Sequence, residues 1–196
     1  MRPRWFTETA ADHSESYAER FRALAAEGAD LAGEARFVDA LVPPGSAVLD
    51  AGCGTGRLAA ELHARGHDAV GVDVDPVLLQ VAAADHVGPA WIEADLATLA
   101  LGREFDAVVS AGNVMVFLAP GSEDDVVRRL AEHLAPDGVL VLGFRTDRHV
   151  QVVDVEASAR GASLVAEQRF STWDLRPWQD DSDFVVMTFR RPKESG

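Results

Sequence analysis

A short buried strand, Ala47-Val48-Leu49-Asp50, runs into Ala51-Gly52-Cys53-Gly54-Thr55-Gly56, and Arg57 to Arg65 then reads as a helix with Leu58 and Leu62 on one face. Glycines at alternate positions let the backbone turn tightly and approach a ligand closely. The same strand–helix alternation continues downstream. Asp68 to Asp73 is the next strand, and Asp75 caps a helix that begins at Pro76. Ala90 to Glu93 and Phe105 to Ser110 follow as strands. Ser122 then caps a helix with Val126, Val127, Leu130 and Leu134 facing inward. Pro136-Asp137-Gly138 turns into a fifth strand, Val139 to Phe144, and a helix is expected from Arg148 to Ala159. Apolar strands alternating with helices predict an α/β, Rossmann-like, doubly wound sheet covered on both faces. The last two strands, Leu164 to Phe170 and Phe184 to Arg190, have no helix between them and predict an antiparallel hairpin at one edge.

Upstream of the loop, Tyr17, Phe21, Leu24 and Ala25 recur at helical spacing before Gly28. A second helix runs from about Glu34 to Leu41 and stops at Pro43-Pro44-Gly45. Residues 1–45 are therefore expected to form an N-terminal helical cap belonging to the same domain as residues 46–196. The 196 residues suit one ordinary domain, and 47% apolar content suffices for a sheet covered on both faces.

Charge narrows the partners. The formal net charge of −14 disfavours nucleic acid and anionic lipid alike. No apolar stretch has the length of a signal peptide or a membrane span, and the single cysteine forms no internal disulfide. These features lead us to expect a cytoplasmic protein. The six histidines show no ligand spacing, so no metal is expected. Cys53 reads as a small residue in a tight turn rather than a nucleophile.

Three carboxylates sharpen the reading of the glycine loop. Asp50 precedes it, where fixed negative charge opposes a pyrophosphate and suits a cationic ligand. Asp73 ends the second strand, where a carboxylate accepts ribose hydroxyls. Asp95 follows the third, where it can take a hydrogen bond from an adenine amino group. All three lie at the carboxyl ends of adjacent strands, the ligand-binding edge of such a sheet.

The segment Val48 to Gly56 resembles the first motif of class I S-adenosylmethionine-dependent methyltransferases. Gly71-Val72-Asp73-Val74-Asp75 resembles the second, Glu93-Ala94-Asp95-Leu96 the third, and Phe105-Asp106-Ala107-Val108-Val109-Ser110 the fourth. Leu134 to Leu140 resembles the segment leading into the fifth strand, and as a set the match is specific. The whole chain is similar to small bacterial methyltransferases of the tellurite-resistance (TehB-like) type. The resemblance implies a seven-stranded, mostly parallel sheet with an antiparallel last strand, and S-adenosyl-L-methionine as cofactor. It also implies that Gly52, Gly54 and Gly56 shape the methionine site and that Asp73 holds the ribose. Val74 would pack on adenine, Asp95 and Leu96 would bind its edge, and Ser110 would lie near the methionine amino group.

The acceptor is less legible. Asn113, after the fourth strand, either contacts substrate or stabilises a turn. The surrounding Ser110 to Met115 departs from the Asn/Asp-Pro-Pro-aromatic pattern of DNA amino-methylating enzymes. Tyr17, Arg20, Arg22 and Arg36 lie in the region that closes over the ligands in similar enzymes. Arg145, beyond the fifth strand, is the best single candidate to hold an anion. Trp173 and Trp178 either line a pocket or pack against the body. The expected activity is methyl transfer to a small-molecule acceptor, by positioning and exclusion of water. A hydroxyl acceptor would need a base, and His149, His13 and Glu34 stand equal for it. Alternatives are a non-catalytic S-adenosylmethionine sensor or scaffold and a nicotinamide-dependent oxidoreductase. Gly-x-Gly-x-Gly spacing, with Arg57 where a further glycine would stand, argues against the last.

Overall fold

The computed structural model describes residues 1–10 and 12–193. Its frame is a seven-stranded sheet in the order β3-β2-β1-β4-β5-β7-β6. The strands are β1 (Ala47–Ala51), β2 (Asp68–Asp73), β3 (Ala90–Glu93), β4 (Phe105–Ser110), β5 (Leu134–Arg145), β6 (Val165–Phe170) and β7 (Phe184–Arg190). The first five are parallel, and β7 runs antiparallel between β5 and β6. Chain order reverses between β1 and β4, and the crevice at such a reversal is where an open α/β sheet takes its ligand.

The helices are α1 (Arg4–Thr7), α2 (His13–Ala26), α3 (Gly33–Asp39), α4 (Arg57–Ala64), α5 (Pro76–Asp85), α6 (Val114–Phe117), α7 (Glu123–Glu132) and α8 (Val152–Gly161), with a 3-10 turn at Leu96–Thr98. The N-cap of α5 forms as expected, Asp75 accepting the Val77 amide at 2.9 Å ahead of Pro76. In α7 the acidic residues Glu123, Asp124 and Asp125 occupy the first turn, where they meet the positive end of the helix dipole. Its apolar face, Val126, Val127, Leu130 and Ala131, is buried in the core cluster that also holds Leu140, Leu142 and Met187. A second cluster on the opposite face joins Val48, Val109 and Val141 to Phe37, Val38 and Leu62.

Four local expectations change. Ser122 stands at the N-cap of α7, but its hydroxyl donates to the Ala119 carbonyl at 2.8 Å and caps no α7 amide. Helix α8 begins at Val152 rather than at Arg148, leaving residues 148–151 as connection. Strand β5 begins at Leu134, which pairs with Phe105 before a register shift, so Pro136-Asp137-Gly138 sits within an irregular strand start. Two one-turn helices, α1 and α6, were not expected, because four residues are too few to show a period.

Leu130 has no solvent exposure. Leu130→Ala should therefore cost about 2–5 kcal/mol of unfolding free energy. Chemical denaturation checks this, and a cost under about 0.5 kcal/mol, as at an exposed position, would show that α7 does not anchor the core.

Candidate functional site

The glycine loop is a closed hydrogen-bonding unit. Gly52, Gly54 and Gly56 have φ of 85°, 55° and 79°, a region open to glycine and costly to other residues. The amides of Gly52 and Cys53 donate to the Val72 carbonyl at 2.8 and 2.9 Å, and that of Gly56 donates to the Cys53 carbonyl. Gly54 donates to Asp73 Oδ2 at 2.8 Å. These four amides are thus committed inside the protein. The loop does not present them as the anion-binding nest that a pyrophosphate needs.

Asp73 spans the loop and the next turn, since its Oδ1 accepts the Asp75 amide at 2.9 Å. Each carboxylate oxygen has a second acceptor site, which leaves Asp73 capacity for a ligand. Burial raises its pKa, opposed by the two amides it accepts. Asp50 lies deeper. It is 2% exposed, accepts the Ala59 amide of α4 at 3.2 Å, and does not reach the cavity wall. Burial pushes its carboxyl up to about 7, with the Arg57 guanidinium acting in the opposite direction. Burial also drives the Cys53 thiol well above its ordinary value, which suits a turn residue and not a nucleophile.

A cavity of about 270 Å³ opens above the loop. Gly52, Gly54, Asp73, Val74, Asp95 and Leu96 converge on it from the ends of β1, β2 and β3. Asp95 binds the Ala97 amide through Oδ1, which leaves its other oxygen available. Carboxylates beside the apolar Val74, Leu78 and Leu96 suit the hydroxyls, amino group and ring of an adenosine. Acidic groups and spent amides suit a cation better than a phosphate.

Gly56 and Ser110 lie away from this wall. A Cβ on Gly56 would stand 2.4 Å from Trp91 and 2.9 Å from Ala82, so glycine there admits the packing of β3 and α5. Ser110 is fully buried at the end of β4, and its hydroxyl has no partner among the described residues.

The N-terminal segment forms the opposite wall. Pro3, Trp5, His13, Tyr17 and Arg20 line the cavity, and Asn113, Val114 and Phe117 close its side. Trp5 is the hub of an aromatic cluster, edge-on to His13 at 4.7 Å, Phe117 at 5.3 Å and Tyr17 at 5.8 Å. Trp5 Nε1 and Ser14 Oγ both donate to Asp75 Oδ2, which latches this segment to the N-cap of α5. Arg57 holds the other end through Glu34, at 2.8 and 3.0 Å, and through its stacking on Phe21. The sequence reading missed Trp5 and Phe117 as wall residues. Their signal was an aromatic in each of two short segments flanking the loop, with no period to mark them.

The remaining acceptor candidates separate. Tyr17 lies on the wall, 3.6 Å from where a Gly54 Cβ would be, and burial raises its pKa. Asn113 adopts a left-handed φ of 68° and accepts the Arg145 amide through Oδ1 at 2.9 Å, so it both shapes the turn and faces the cavity. Arg36 does not reach the cavity, being turned outward to Asp30 at 2.6 and 2.9 Å. Trp173 also lies elsewhere, packed on Gly143 and edge-on to Phe37 on the other side of the sheet. Arg22 pairs with Asp85, and Glu34 is spent on Arg57. Arg145 lines a second, adjoining cavity.

The buried Asp50 generates a pH dependence. A carboxyl held near 7 in the fold and near 3.8 when unfolded stabilises the protein below that window. Stability is lost as pH rises through it, by on the order of 4 kcal/mol. Thermal unfolding of ligand-free wild type and Asp50→Asn should show the variant gaining on wild type between about pH 5 and pH 8. A difference that does not vary with pH would mean that Asp50 is ionised throughout.

The comparisons agree with this geometry. The family described as "Methyltransferase domain" matches residues 48–138. Magnesium-protoporphyrin O-methyltransferase of Rhodobacter capsulatus is 39% identical over 94 residues, covering 45% of this chain and 39% of that protein. The dTDP-3-amino-3,4,6-trideoxy-alpha-D-glucopyranose N,N-dimethyltransferase of Streptomyces venezuelae is 32% identical over 127 residues, 64% of this chain and 52% of its own length. The chain thus spans about half the length of these curated relatives or less. A crystal structure of a TehB-like S-adenosylmethionine-dependent methyltransferase from Corynebacterium glutamicum matches with a TM-score of 0.88 at 40% identity, covering 93% of this chain and all of that one. The glycine loop, the acidic strand ends and this full-length likeness agree: the chain belongs to the class I S-adenosylmethionine-dependent methyltransferases.

Proposed function

We propose that this protein transfers the methyl group of S-adenosylmethionine to a small-molecule acceptor. The observation that carries the reading is the convergence of Gly52, Gly54, Asp73, Val74, Asp95 and Leu96 on one cavity roofed by the N-terminal helices. When bound, the cofactor supplies a methyl already activated by a sulfonium. In this reading Asp73 accepts the ribose hydroxyls, while Asp95 takes the adenine amino group and Leu96 and Val74 pack on the ring. Residues 1–45 act as the cover of the same domain. Trp5, Tyr17 and Phe117 exclude water, which strengthens the electrostatic contacts inside. His13 is on the wall common to this cavity and the next, while Glu34 is paired elsewhere. His13 is therefore placed better than Glu34 to take a proton from a hydroxyl acceptor.

The acceptor reading rests on size and charge. The cover consists of one 14-residue helix, α2, and the one-turn helices α1 and α6, and the net charge of −14 opposes a nucleic-acid acceptor. Among the described residues no helix is long and apolar enough to cross a membrane. Asp73→Ala should weaken S-adenosylhomocysteine binding by at least about tenfold, through loss of charge-assisted hydrogen bonds. Calorimetry measures this, and an unchanged dissociation constant would mean that the ribose is held elsewhere. Mass spectrometry of S-adenosylhomocysteine formed with pooled small metabolites, against duplex DNA and RNA, tests the acceptor class. Efficient turnover on nucleic acid alone would overturn it.

A further inference from the structure

A second cavity of about 460 Å³ adjoins the first, sharing with it a wall of His13, Asn113 and Phe117. Its lining differs sharply from the rest of the molecule. The chain carries 18 basic against 32 acidic residues, yet this lining holds Arg145 and Arg148 against a single acid, Glu8, with Asp147 and Asp183 beside the arginines but outside the lining. Glu8 is already paired with Arg4 at 3.3 Å. His149 adds a titratable imidazole to the same wall.

From this geometry we infer that the second cavity is the acceptor subsite, and that Arg145 and Arg148 bind an oxyanion, carboxylate or phosphate, on the acceptor. The inference rests on the methyltransferase reading, since the shared wall is what brings an acceptor bound here to the cofactor cavity. Arg145 is prepared for the task. Its backbone amide is fixed by Asn113 Oδ1, and its Nε and Nη2 engage Asp147 at 2.9 and 2.6 Å. Nη1 has no protein partner among the described residues. Asp147 orients the guanidinium and Asp183 Oδ2 stands 3.8 Å from Nη2, while Nη1 keeps its donors for an oxyanion. The Arg145–Asp147 pair is exposed on both sides, so solvent screens it and it competes weakly with a bound anion. Arg148 contacts Asp147 only at 3.9 Å and is 61% exposed, which leaves its donors available. An acceptor anchored here would extend its reacting atom to the wall formed by His13 and Asn113.

The test uses protein saturated with S-adenosylhomocysteine and titrated with benzoate, phenyl phosphate and the neutral benzyl alcohol, read by calorimetry or amide chemical shifts. Saturable binding of benzoate or phenyl phosphate, with benzyl alcohol weaker by about tenfold or more, is expected. The stronger anion identifies which oxyanion the subsite prefers. Arg145→Met with Arg148→Met should lose that preference while S-adenosylhomocysteine affinity stays within about twofold, because both side chains lie outside the first cavity. Equal binding of the neutral probe, absence of anion binding at millimolar concentration, or undiminished binding by the double variant would overturn the subsite. Failure of S-adenosylhomocysteine itself to bind wild type would instead overturn the methyltransferase reading beneath it.

Discussion

The hydrogen bond from the Gly54 amide to the Asp73 carboxylate ties the loop after β1 to the end of β2. The rest of the site depends on it. It fixes the glycine loop against the neighbouring strand, and with the Val72 carbonyl it consumes the amides that would otherwise draw a phosphate. Through its other oxygen Asp73 sets the Asp75 amide, and so the start of α5. The outcome is a strand edge that is tightly turned, acidic and poor in free donors. That chemistry suits the proposed cationic nucleoside better than a dinucleotide, on a sheet topology that serves both.

Asp75 extends this control to the cover. One oxygen caps α5, and the other receives Trp5 Nε1 at 2.7 Å and Ser14 Oγ. Arg57, the first residue of α4, reaches back to Glu34 and over Phe21. The residues that begin the two helices beside the cofactor cavity therefore also hold the segment that roofs it. Loop and cover are thereby joined by direct side-chain contacts.

The legible part of this protein was the part written in local pattern. The glycine spacing, the alternation of strands and helices and the aspartates at strand ends follow from backbone geometry, and these led to the sheet and to most of the cavity floor. The cover was harder, because Trp5 and Phe117 belong to one-turn helices and meet only through tertiary packing. Residue type alone misdirected the acceptor candidates. Arg36 is no wall residue, because its side chain turns away from both cavities toward Asp30. A tryptophan in a loop is no pocket wall when, like Trp173, it fills the space left by Gly143. Gly56, expected to help shape the methionine site, lies off the cavity wall and leaves room for Trp91.

In the proposed function the glycine loop and the N-terminal helices form two walls of one cofactor cavity. Amide hydrogen exchange with and without S-adenosylhomocysteine tests it most directly, because it reports local opening segment by segment. Exchange should slow on binding in residues 52–56 and in α2, with the β6–β7 hairpin unchanged. Protection of the loop with no change in α2 would contradict it, since the ligand would then be held by the sheet edge alone.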